Sequence, residues 1–124
     1  MSHDSGHAVK KASDVDATVV GAGTATTTQT LLGAADGAPH FAMRRFSMGD
    51  GGGMPLHTNT VEHEQYVLRG RARVTIGTES FEVSEGTVVF IPAGVPHDYT
   101  VLDAPFEFLC MVPNLPDNIQ IVER

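Results

Sequence analysis

A single cysteine, Cys110, is all the chain contains, so no intrachain disulfide can form, and its place in the apolar run FEFLCMV fits a protein made in a reducing compartment. The polar start MSHDSGHAVKKASDVDA lacks the paired basic and apolar segments of an export signal, and a cytoplasmic location is expected. No run approaches the roughly 20 apolar residues that cross a bilayer as a helix. Basic residues are scarce: 8 Lys and Arg stand against 15 Asp and Glu, a formal charge of -7, and they form no block. The phosphate ladder of nucleic acid and anionic membrane surfaces are therefore not expected partners. Helical periodicity is missing too, since nowhere do apolar residues hold a spacing of 3.6 over three turns.

What the chain does contain is a rhythm of short β-like segments divided by glycine and proline. Residues 1–20 are polar and weakly patterned and read as a mobile arm or an edge strand. Residues 21–124 suffice for one domain. Within them GAGTATTTQTLLG is rich in β-branched residues. HFAMRRFSM follows as a strand, with Ala42, Arg44, Phe46 and Met48 on one face and Phe41, Met43 and Arg45 on the other, and Gly49 to Gly53 are expected to break it. MPLHTN, HEQYVLRG, RARVTIG, SFEVSEG, TVVFIPAG, PHDYTVL and PFEFLCMV then read as separate strands, with Gly70 closing one at a tight turn. Strands at this spacing, too close for βαβ crossovers, predict an all-β sandwich or closed barrel.

Three of the six histidines stand in turn-rich frames. GGGMPLHTNTVEHEQYVLRG aligns His57 with Asn59 by alternation, and His63 with Gln65 on the next strand. GTVVFIPAGVPH turns the chain at Pro92 and Gly94 so that His97 opens a strand. A mononuclear metal site needs such side chains converging from adjacent strand ends, with nitrogens about 2.0 to 2.2 Å from the ion. By contrast His3 and His7 sit in the polar arm, and His40 has no supporting frame.

These two stretches resemble the paired motifs of the cupin superfamily, G-x5-H-x-H-x3,4-E-x6-G and G-x5-P-x-G-x2-H-x3-N. The second is matched by Gly86, Pro92, Gly94 and His97, with Val101 in place of the asparagine. The first is matched by His57 and Gly70, but Asn59 replaces the second histidine and His63 the glutamate. The flanks APHFAMRRFSM and FEFLCMVP are similar to those of small bacterial cupins with an all-histidine manganese site. The resemblance implies a double-stranded β-helix, or jelly-roll, barrel that pairs into a homodimer through edge strands, with one divalent metal in its mouth held by His57, His63 and His97.

Asn59 then has three readings: a weak fourth donor through its amide oxygen, an anchor for a bound water, or an inward residue without metal contact. Gln65 either lines the pocket or bonds a neighbouring strand. Arg44, alternating with Phe46, either clamps a substrate carboxylate with its planar fork or lies on the surface. Phe108 and Cys110 share a face and give the pocket an apolar wall. Glu62 and Glu64 face away from His63. Three neutral imidazoles leave open metal positions and suit an anionic substrate, so the leading expectation is a dioxygenase using Fe(II), or Mn, Cu, Ni or Zn, on a small enolic, phenolic or alkene substrate with O2. The absence of an evident general base supports that choice. The alternatives are an isomerase or lyase in which the metal is a Lewis acid and Tyr99, Glu64 or a metal-bound water shuttles the proton, and a non-catalytic ligand-binding barrel.

Overall fold

A computed structural model of the chain describes residues 5–123. Eight strands are present among them: β1 (Thr18–Val19), β2 (Thr24–Leu32), β3 (Phe41–Asn59), β4 (His63–Ile76), β5 (Glu79–Ser84), β6 (Val88–Ile91), β7 (His97–Pro113) and β8 (Ile119–Ile121). Apart from single 3-10 turns at Ala12–Asp14 and Ala34–Asp36, the described residues hold no helix, and none long and apolar enough to cross a membrane. Every pairing is antiparallel and follows the order β1-β2-β3-β7-β4-β5, with β6 on β4 and β8 on β3. This is the all-β jelly-roll architecture.

The three long strands β3, β4 and β7 correct the sequence reading. Gly49 to Gly53 do not end β3, Gly70 does not end β4, and PHDYTVL and PFEFLCMV are one strand, because the ladders continue across each of these places through register shifts. Along β4 and β7 the shifts exchange which parity of residue faces inward. On β4, His63, Gln65 and Val67 are buried before Gly70, and Ala72 and Val74 after it. On β7, His97 and Tyr99 are buried on one side, and Phe106, Phe108, Cys110 and Val112 on the other. Strict alternation along β3 would have sent Arg44 and His57 to opposite faces. Met48 and Met54 keep the same parity, and the irregularity between Met54 and His57 then brings His57 to the inner face that Arg44 shares.

Gly70 shows why such a corner needs glycine. Its φ is +80°, and an added Cβ would collide with the Pro105 carbonyl oxygen while meeting the Asp103 oxygen and Phe106 Cα at 2.7 Å each.

The register then stacks the interior in rows. Val67, Phe108 and Phe46 lie side by side across β4, β7 and β3, as do Gln65, Cys110 and Arg44, and His97 sits directly opposite His57. Phe108 is the hub, with ring centroids 5.2 Å from Phe46, 5.4 Å from Tyr99 and 5.4 Å from Phe106. These packed rings supply much of the apolar area that stabilises the barrel, and Phe46, Tyr99 and Phe108 form the floor of its cavity.

Candidate metal centre

At one end of this aromatic floor, a cavity of about 40 Å³ is lined by His57, Asn59, His63, Gln65, His97 and Tyr99, with Arg44, Phe46 and Phe108 completing its wall. Cys110 is fully buried behind it, touching His63 Nδ1 through Sγ at 3.4 Å. The structure thus gathers around one space the residues the sequence singled out. Met48, Met54, Val20 and Ile119 also border it.

His57 and His97 are set alike. Each follows a short Pro-containing step, and each ring donates from Nδ1 to the carbonyl two residues back, His57 to Pro55 at 2.7 Å and His97 to Val95 at 3.0 Å. That bond fixes the tautomer and leaves Nε2 as an unused lone pair, the arrangement a metal-binding imidazole requires. Their ring centroids are 4.2 Å apart. Burial lowers the pKa of His57 and takes that of His97 down to about 4, so both rings are neutral at pH 7.

His63 is different. Its Nε2 lies 3.2 Å from the Asp117 carboxylate, and its ring centroid is 6.2 Å from that of His97. Burial by itself would lower its pKa, but the Asp117 carboxylate and the Cys110 sulfur outweigh it and hold the imidazolium to a pKa of about 9. Asp117 shows the reciprocal effect: burial pushes its carboxyl up, yet the bonds from His63 and Asn59 bring it below the usual carboxylate range. The His63 side of this pair therefore stabilises the fold fully below pH 6.5 and fades as pH rises through about 9, whereas the Asp117 side is lost in acid. In the metal-free chain, Asp117→Asn is expected to drop the His63 pKa from about 9 to near or below its ordinary 6.5, followed by NMR titration of the imidazole. A value still near 9 would show that Asp117 is not the cause.

Asp117 is the residue the sequence did not reveal. It sits in the polar turn NLPDN and reaches the cavity from 54 positions beyond His63. It also accepts from Asn59 Nδ2 at 3.2 Å, which leaves Asn59 Oδ1 buried without a partner. Gln65 donates from Nε2 to the Tyr99 hydroxyl at 2.6 Å. The candidate shuttles part company here. Tyr99 lines the cavity, whereas Glu64 faces a separate outer cleft with Glu62, Phe41 and Met111. His40 is exposed, and His3 lies outside the described residues.

The donor chemistry fits a divalent transition ion: two neutral imidazoles with free Nε2 atoms and an orphaned amide oxygen border one cavity. Among the described residues, however, no three His, Cys, Asp or Glu side chains converge as a ready-made set. His63 is the donor out of place, because its Nε2 is committed to Asp117.

Residues 44–112, more than half of the chain, match the model of the cupin domain. The chain belongs to the cupin family. This cupin is similar over 95% of its length to the polyketide cyclase RemF from Streptomyces resistomycificus, covering 87% of that chain with 29% identity and a TM-score of 0.86. It is similar also to a cupin-2 domain protein from Rhodospirillum rubrum, with 25% identity, a TM-score of 0.81, and coverage of 94% of this chain and 80% of the other. Over 34 residues, 27% of this cupin, it is 47% identical to an uncharacterized protein of Streptomyces coelicolor. It spans less than half the length of the curated relatives it matches, 32% of that protein and 46% of an uncharacterized one from Methanocaldococcus jannaschii.

Proposed function

We propose that this cupin is a metal-dependent enzyme that acts without oxygen on a small enolisable or phenolic anion, as an isomerase, lyase or cyclase. The observation that carries the reading is the pair His57 and His97, each neutral and locked by a backbone carbonyl so that Nε2 is free to bind an ion. His63 is the third ligand once it gives up its proton and its hold on Asp117. A bound divalent ion would supply Lewis-acid polarisation of a substrate carbonyl.

The preference for non-oxidative chemistry comes from Tyr99 and from the likeness to a polyketide cyclase. Burial pushes the Tyr99 hydroxyl above its ordinary range, so it stays a neutral phenol. Because the Gln65 amide donates to its oxygen, the phenol proton is left to donate into the cavity. A neutral donor aimed where negative charge develops stabilises an enolate, a role worth on the order of 10²–10³ in rate. The sequence reading favoured an oxygenase for want of a proton-handling group, and Tyr99 at the cavity wall answers that want. All-imidazole donors accept iron, manganese, copper, nickel or zinc. Without an oxygen step, Fe(II) loses its special claim.

The test is deuterium exchange at the α-carbon of a 3-oxo acid, followed by NMR in air, under anaerobiosis and with chelator. Exchange above the uncatalysed rate should require metal, ignore oxygen, and fall about 10²-fold or more in Tyr99→Phe. Turnover that consumes oxygen and stops under anaerobiosis would return the assignment to a dioxygenase.

A further inference from the structure

Asp117 is held by three groups at once, but none of them closely. His63 Nε2 lies at 3.2 Å, Asn59 Nδ2 at 3.2 and 3.4 Å from the two carboxylate oxygens, and Arg44 Nη2 at 3.7 Å. Other ion pairs in the same chain do close fully, with Arg45 on Glu107 at 2.9 Å and Lys10 on Asp36 at 2.7 Å, the range expected of charge-assisted bonds, although Arg69 stands off Glu107 at 3.8 Å. Arg44 is also poorly served. Its Nε is buried without a partner among the described residues, its guanidinium carbon lies 5.2 Å from the Phe46 ring centroid, and it contacts Cys110 Sγ at 3.9 Å. A planar fork with unused donors and an amide thus face one small carboxylate that satisfies neither of them well.

The segment that carries Asp117 is lightly anchored. β8 has only three residues, all exposed, and pairs with His57, Thr58 and Asn59 of β3. Before it, Thr60 accepts from the Asn118 amide and donates to the Pro116 carbonyl, both at 2.9 Å. Exposed backbone bonds with little apolar burial belong to the low-stability end of a fold.

We infer that Arg44 and Asn59 form a carboxylate subsite for the anionic group of the substrate, which Asp117 fills as an internal stand-in and vacates when substrate binds. The inference rests on reading this cavity as the substrate site, but not on the metal. It narrows the substrate to molecules bearing a carboxylate next to the enolisable or phenolic centre. It also gives the cation Arg44, off the histidine cluster, a positioning duty.

Acetate, the Asp side chain without its backbone, is the probe, and the full chain is kept in chelator throughout. Asp117→Ala should bind acetate about tenfold more tightly than the unmodified chain, read from the shift of the His63 imidazole signals, since charged hydrogen bonds to the vacated subsite become available. Adding Arg44→Gln to that variant should remove the gain. Asp117→Asn keeps the shape but surrenders the charge, and should show a smaller gain, which preserves the comparison if the alanine variant does not fold. Equal acetate affinity in the variants and the unmodified chain, or a gain that survives Arg44→Gln, would overturn the subsite. Failure of metal binding would leave this result standing, and failure here would leave His57 and His97 untouched.

Discussion

His97→Ala is expected to weaken divalent-metal binding by at least about a hundredfold and to bring metal-dependent turnover down to background. The floor on that figure comes from the fact that even partners behind the ligands cost about 10- to 100-fold when removed. His97 is 1% exposed, neutral, and locked to Val95, directly opposite His57 in the register. Its loss deprives the ion of a preformed donor and breaks the 4.2 Å imidazole pair. The fold should survive with a cost of about 1–3 kcal/mol, because the ring is buried but not the hub of the core. Metal analysis beside a denaturation curve separates the two effects. A variant that still purifies with one ion per chain would remove His97 from the ligand set.

The largest expected effect on stability lies away from the cavity, at the corner of β4. Gly70→Ala should destabilise the fold by about 3–5 kcal/mol, combining left-handed backbone strain with overpacking. The new Cβ would strike backbone, namely the Pro105 and Asp103 carbonyl oxygens and Phe106 Cα, and backbone cannot swing aside as a side chain does. Denaturant unfolding gives the number. A cost below about 1 kcal/mol would mean that β7 yields at this corner and that the glycine is not required by packing. Because Gly70 separates the two inward-facing parities of β4, a partly folded variant should also disturb His63 and Gln65, visible as lost metal binding.

Much of this was legible in the linear chain. The period-2 pattern around Arg44, Phe46 and Met48, and again around Phe108 and Cys110, follows from the pleat, and those residues line or back the cavity. The turn residues were legible as changes of direction. Their consequence was not, since a glycine in a strand signals a turn or a bulge equally well and only the partner strand distinguishes them. At Gly49 to Gly53 and at Gly70 the ladder runs on. Hence the linear pattern implies strands shorter and more numerous than the fold contains.

Asp117 marks the limit more sharply. A lone acid in a proline-containing turn carries no local sign of burial, and its pairing with His63 depends on β8 folding back onto β3. By itself the sequence determined the all-β class, the histidine frames and the alternation of faces within each short segment, because alternation and turn chemistry are local. Only the tertiary structure decided that His57 and His97 stand ready as neutral donors while His63 is held by Asp117, that Tyr99 rather than Glu64 reaches the cavity, and that Arg44 lacks a close partner. Those facts depend on burial and on contacts between strands far apart in the chain, where the energy of a charge is set by what surrounds it.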